Sequence, residues 1–146
     1  MAVRVVDASA FGALLFGEAA KPWVQDQTRG AVLIAPPLLH FELGNVCWVK
    51  MRRNPNQADA LLSAWLDWTE QPPVAVVDID FIDTMRLARR HDLTFYDASY
   101  LWLAQERAGD LISLDRKLVR AARRLGIHAP VPRESPAGHT TPRSRN

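Results

Sequence analysis

The stretch LTFYDASYLWLAQERAGDLISLD, residues 93–115, constrains the fold more than any other. From Tyr96 to Ala104 nearly every position is apolar or small, Asp97 being the charged exception. A helix that is apolar all round, rather than striped, belongs in the middle of a domain. Gln105, Glu106 and Arg107 restore polarity, and Gly109 is expected to supply the left-handed residue that ends the helix. Leu111–Leu114 then reads as a short buried strand, closed by Asp115. An ionised Asp97 in such surroundings is costly without a compensating partner. The search for function therefore begins with what compensates it.

A chain of 146 residues with 48% apolar and 23% charged residues is expected to form one globular domain with a sizeable core. That domain is placed at residues 1–130. Residues 131–146 are rich in Pro, Ser, Thr and Arg and are expected to form a disordered tail. The formal charge of +2 resides in the last fourteen residues, which hold three arginines against Glu134. The body is charge-balanced, so nucleic-acid binding would have to rest on local basic patches. Cys47 is the single cysteine, which excludes an intrachain disulfide and a cysteine zinc cluster. No apolar run approaches a membrane span and no signal peptide is evident, so a cytoplasmic location is expected.

Apolar runs alternate with helical patterns along the chain. Val3–Val6 reads as a strand ending at Asp7, with Ser9 as the cap of a helix through Phe16. A helix over Lys21–Arg29 comes next, with Pro22 in its first turn, then a strand over Val32–Ala35. Leu38–Arg53 is helical. Asn54-Pro55 starts another helix, whose apolar face takes Leu61, Leu62, Trp65, Leu66 and Trp68. A strand over Val74–Val77, a helix over Phe81–His91 capped by Asp80, and the central segment come after it. The last elements are a helix over Arg116–Leu125 stopped by Gly126 and a short strand at Ile127-His128. The pattern predicts an α/β sandwich around a mostly parallel sheet.

In parallel sheets, ligands gather beyond the carboxyl ends of the strands. Asp7 and Asp115 directly follow strands, Glu42 lies on a helix after another, and Asp97 lies early on the central helix. If these ends face one crevice, four carboxylates meet there, and protons or a cation must relieve their repulsion. An all-oxygen set favours Mg²⁺ or Mn²⁺. Structural readings compete. Asp7 fits an Asx-turn, Thr94-x-x-Asp97 fits a capping box, and Asp115 fits an N-cap. Glu42 has no such explanation, because it lies beyond the first helical turn among Leu39, Phe41, Leu43 and Val46.

The strings VVDASAFGALLFGE, FELGNV, FYDASYLWLA and LISLD, in that order, resemble the PIN-domain ribonucleases of the VapC toxin family. The resemblance runs to about Ile127. It implies a PIN-like three-layer sandwich, with a mostly parallel sheet of 4–5 strands flanked by helices. It implies that Asp7, Glu42, Asp97 and Asp115 are the catalytic and metal-holding acids, with Ser9, Asn45 and Ser113 supporting them. It further implies a Mg²⁺- or Mn²⁺-dependent endoribonuclease, a cognate VapB-like antitoxin and a homodimer. Arg116 and Lys117, beside Asp115, are the first choice for RNA contacts, although an exposed pair of cations needs no ligand.

Two other classes compete. A receiver-like phosphoacceptor needs paired acids at its first strand and a lysine after its last, whereas Asp7 stands alone and Lys117 sits on a helix. A non-catalytic PIN-like module that binds RNA or protein would keep the fold and lose the chemistry. Asp78-Ile79-Asp80 also resembles the D-x-D opening of aspartate-nucleophile phosphatases, but no catalytic lysine on a later strand end accompanies it.

Overall fold

The structure is a computed structural model and describes residues 1–133. The tail expected at residues 131–146 lies mostly outside the described residues. Four strands, β1 (Val3–Val6), β2 (Val32–Ala35), β3 (Ala75–Val76) and β4 (Asp110–Ile112), form one sheet in the order β3-β2-β1-β4. All three pairings are parallel. Seven helices surround it among the described residues: α1 (Ala8–Phe16), α2 (Lys21–Thr28), α3 (Leu38–Arg53), α4 (Ala58–Glu70), α5 (Phe81–His91), α6 (Phe95–Glu106) and α7 (Arg116–Arg124). None is long and apolar enough to cross a membrane.

Alternation along the strands creates two cores. Val5, Ile34 and Leu111 face one side and pack with α6 and α7 through Leu101, Leu103, Leu118 and Ala122. Val6, Ala35 and Ile112 face the other, against Phe11, Val24, Leu39, Leu43 and Trp68. Helices thus cover both faces, giving the expected three-layer sandwich. Because every strand points the same way, β1 and β4 end at one edge, and α1, α6 and α7 begin there.

Several local expectations are corrected. Asp7, not Ser9, caps α1: its carboxylate accepts from the Ala10 N–H at 3.1 Å, which leaves Ser9 inside the first turn. Asn54 does not cap α4; its amide donates back to the Lys50 carbonyl at 3.0 Å. A 3₁₀ turn over Pro55–Gln57 intervenes before α4. On α4, Trp68 is buried, while Leu62 and Leu66 are exposed, so the expected apolar face only partly meets the core. β3 is a two-residue edge strand, since Pro72-Pro73 offers no N–H to extend the ladder. No strand forms at Ile127-His128, although the His128 carbonyl accepts from the Leu111 N–H at 2.9 Å.

The end of α6 differs in a more informative way. Ala108, not Gly109, takes the left-handed conformation, with φ 48°. The N–H of Gly109 bonds to the Ala104 carbonyl at 2.9 Å and that of Ala108 to Gln105 at 3.2 Å, the paired bonds of a Schellman ending. Gly109 serves another purpose. A Cβ there would stand 3.2 Å from both the carbonyl oxygen and Cγ1 of Val3, so a larger residue would force β1 and β4 slightly apart.

Exchanging the two roles is a direct check by chemical denaturation. Ala108→Gly is expected to stabilise by up to about 1 kcal/mol, as relief of the left-handed strain exceeds the added unfolded-state freedom. Gly109→Ala is expected to destabilise by about 1–3 kcal/mol through overpacking against backbone. Equal effects at the two positions would refute this account.

Candidate active site

Asp7 is the most enclosed acid, 6% exposed at the end of the central strand β1. Its Oδ1 accepts from Ser9 Oγ at 2.7 Å as well as from the Ala10 N–H, and its Oδ2 accepts from Ser113 Oγ at 2.6 Å. Both serines are anchored in turn. The Leu114 N–H donates to Ser9 Oγ at 2.8 Å and the Asp115 N–H to Ser113 Oγ at 3.0 Å. Each hydroxyl therefore accepts one backbone N–H, and its proton is directed at Asp7. This network staples the start of α1 to the turn after β4. Ser9 and Ser113 thus both bond the first acid.

Asp115 is exposed and caps α7, its Oδ1 accepting from the N–H groups of Lys117 at 2.9 Å and Leu118 at 3.4 Å. Asp97 is half-buried in the first turn of α6. Its N–H donates to Thr94 Oγ1 at 3.0 Å, so Thr94 performs the capping and the Asp97 carboxylate remains available. Three of the four acids therefore stand at helix N-termini, where the helix dipole favours anions.

Glu42, on the second turn of α3, takes its hydrogen bond from Tyr100, whose hydroxyl donates to Oε1 at 2.7 Å. Asn45 does not brace Glu42 as expected. It is exposed, and a different cleft, lined also by Ala8, Ser9, Lys50 and Arg53, receives it. Tyr100 was missed from sequence. The available signal was a phenol on a helix otherwise apolar, since a buried tyrosine hydroxyl usually finds a partner. Burial, then the charge and the hydrogen bond of Glu42, push the Tyr100 hydroxyl far above its ordinary range, so it is a fixed donor.

The four acids are near enough to feel one another's charge. Burial raises the pKa of Glu42 above the ordinary carboxylate range, and the charges of Asp7, Asp97 and Asp115 push it further. Burial likewise raises Asp7, against the hydrogen bonds from Ser113, Ser9 and Ala10, with Asp115 adding to the rise. Asp97 is raised by burial and then by Asp115, with Lys117 in partial opposition. Among the described residues, however, no three acidic, imidazole or thiol groups stand close enough to close a ligand cage. The acids are near enough to repel and too far apart to enclose an ion tightly. The donors are all oxygen and mutually repelling, which is the chemistry that a hard, hydrated divalent cation relieves.

Lys117 lies close enough to Asp97 to influence it, whereas Arg116 faces a neighbouring cleft with Ser113 and Leu114 at its edge. An apolar pocket of about 500 Å³ adjoins the crevice on the other side, where Phe41, Phe81, Phe95 and Tyr96 line it. The aspartates of the D-x-D sequence are separated from the four acids in role: Asp80 caps α5 through the Asp83 N–H at 2.8 Å, and Asp78 lines that apolar pocket.

The PIN domain family matches residues 4–124. Over 118 residues the chain is 31% identical to Ribonuclease VapC3 of Pyrobaculum aerophilum, a match covering 78% of this chain and 90% of that protein. The crystal structure of PAE2754 from Pyrobaculum aerophilum superposes with a TM-score of 0.67 at 26% identity, covering 88% of this chain and 83% of the other. VapC20 of Mycobacterium tuberculosis, a Sarcin-Ricin loop cleaving toxin, superposes with a TM-score of 0.59, covering 81% and 94%. At 17% identity that likeness concerns the fold alone.

The raised acids give a pH test. A carboxyl whose folded pKa is raised stabilises the fold below its unfolded pKa and loses that contribution as pH climbs through the folded value. In metal-free buffer, Asp97→Asn should therefore melt a few degrees above the wild-type protein at neutral pH. The gap should close as the buffer falls below about pH 3, where Asp97 is protonated in both states. A gap independent of pH would contradict the proposed repulsion.

Proposed function

We propose that this chain, which belongs to the PIN-domain family, is a metal-dependent endoribonuclease acting as the toxin of a toxin–antitoxin pair. The observation that carries the reading is the enclosed Asp7 carboxylate, raised by burial and sharing its crevice with Glu42, Asp97 and Asp115. Desolvated acids crowded at a strand-end edge destabilise a fold unless a cation or protons relieve them. The similarity to Ribonuclease VapC3 supports an RNA substrate.

Asp7, Glu42, Asp97 and Asp115 would hold Mg²⁺ or Mn²⁺. Bound there, the ion would activate a water at neutral pH and neutralise charge building on the phosphate and leaving oxygens. The chain's own residues set the stage. Ser9 and Ser113 keep Asp7 oriented and ionisable by donating to both its oxygens. Tyr100 holds Glu42 by one oxygen, Oε1, so the other would be available to an ion. Lys117, on the rim, offsets part of the negative field that would otherwise repel RNA, and Arg116 lies beside it.

The partner readings extend this proposal. A VapB-like antitoxin and a second copy of the chain both require apolar surface, and large side chains are exposed in two places. Phe41, Phe81, Ile82, Met85 and Tyr96 are exposed on α3, α5 and α6, and Trp48, Leu62 and Leu66 on α3 and α4. The cytoplasm is the compartment that supplies RNA, Mg²⁺ and a co-expressed antitoxin together.

Purified protein incubated with total RNA is expected to cut it only when Mg²⁺ or Mn²⁺ is present. Asp97→Asn should lower the rate at least about a hundredfold, because a lost ligand forfeits several kcal/mol of charge stabilisation. Undiminished cutting by that variant would defeat the proposal. Tyr100→Phe, which deletes the hydrogen bond to Glu42, should raise the metal concentration for half-maximal cleavage by about 10–100-fold. An unchanged metal requirement would remove Tyr100 from its positioning role.

A further inference from the structure

Helix α7, with the sequence RKLVRAARR, carries five cations on nine residues and no acid. Its other face, Leu118, Val119, Ala121 and Ala122, is buried in the core, so the cations are gathered on the outer side. Among the described residues, none of the five lies within salt-bridge distance of a carboxylate. The arrangement is unfavourable by itself. Arg116 and Lys117 occupy the first turn, where the dipole disfavours cations, and Arg116–Arg120 and Arg120–Arg124 are like-charge pairs one turn apart. A polyanion lying along the helix would offset both costs.

The structure also provides a place for one. Arg123 donates from Nε and Nη2 to the Ala129 carbonyl at 3.1 and 2.9 Å, which holds the chain after α7 back against the helix. Between them lies a cleft of about 730 Å³, with Arg116, Arg120 and Arg123 on one wall and Arg133 on the other. Ser113 and Leu114 form its inner end, and Ser113 is the residue that bonds Asp7. The cleft therefore opens from the edge of the acidic crevice. Arg116 and Arg120 are spaced about 6 Å along the helix axis. Among the described residues no aromatic side chain lines it, so it is suited to a phosphate backbone rather than to stacked bases.

We propose that the cleft between α7 and residues 129–133 is a phosphate track. Arg116, Arg120 and Arg133 hold backbone phosphates of single-stranded RNA as it leaves the acidic crevice. The track rests on the nuclease reading for its substrate, and it adds where the uncut part of that substrate runs. It also separates two tasks along α7. The N-terminal end faces the acids, and the middle grips RNA that is not being cut.

Arg120 and Arg133 are exposed and, among the described residues, make no side-chain hydrogen bond, so replacing them leaves the fold intact. The full chain in EDTA is titrated with a short fluorescein-labelled single-stranded RNA at several KCl concentrations. The Arg120→Gln, Arg133→Gln double variant is expected to bind about tenfold more weakly. Its slope of log affinity against log salt should be shallower by about 1.4, from two lost phosphate contacts at about 0.7 each. Arg120→Lys, which keeps the charge, should retain most of the slope. Cleavage assays on the double variant should show a raised KM with kcat unchanged. Wild-type affinity and slope in the double variant would overturn the track. So would polyglutamate displacing the RNA at equal charge concentration, since the cleft would then be a site for acidic peptides. The outcomes separate from those of the nuclease reading. A protein that shows the predicted slope change yet never cuts RNA keeps the track and loses the nuclease, and normal cutting with an unchanged slope does the reverse.

Discussion

The architecture turns on a carboxylate held inside the protein at the end of its central strand. Removing Asp7 from water costs free energy, and the hydroxyls of Ser9 and Ser113 together with the Ala10 N–H offset much of it. Those donors come from opposite ends of the chain. Ser9 opens α1, and Ser113 follows β4, which reaches Asp7 only because β4 pairs in parallel beside β1. The other acids then assemble around a fixed point. Asp115 is two residues beyond Ser113, Glu42 is tied to α6 through Tyr100, and Asp97 is on α6 itself.

Structural and chemical readings of an acid prove not to be alternatives in this PIN domain. Asp7 and Asp115 cap α1 and α7 and their charges still reach Glu42. A cap uses one carboxylate oxygen and places it at the positive end of a helix, which lowers the cost of collecting anions there. Asp97 shows the other solution, with Thr94 taking over the capping. Helix starts along one edge of a parallel sheet are thus economical places to concentrate negative charge.

How much of this was legible in the sequence depended on the range of the interaction. β1, β2, the span of α3 and the capping by Asp80 arise from residues close in sequence, and they match the expectation, whereas β3 and β4 are shorter than the expected Val74–Val77 and Leu111–Leu114. The acids were identified as candidates because Asp7 and Asp115 directly follow strands, Glu42 and Asp97 lie on helices after them, and all four match the family resemblance. Tyr100 was not, because its partner is 58 positions away and nothing local marks a phenol as a donor. Asn45 was chosen for the role by its spacing of one turn, but spacing does not say which way a side chain faces. The exchange between Ala108 and Gly109 failed for the same reason. A glycine near a helix end usually relieves torsion, but here Val3, from the first strand, needs the space beside it. Ser9 was misplaced as a cap because the stronger acceptor, Asp7, came two residues earlier.

The pairing of the first strand with the last has a consequence for synthesis. Arg4 aligns with Asp110, and Ser9 and Ser113 meet around Asp7, so the crevice joins parts of the chain made at different times. At translation speeds of 5–20 residues per second, roughly 5–20 s separate their emergence from the ribosome. A nascent chain lacking β4 keeps the Ser9 hydroxyl beside Asp7 but lacks both the Ser113 hydroxyl and Asp115. The burial of Asp7 is therefore completed only after most of the chain has left the ribosome.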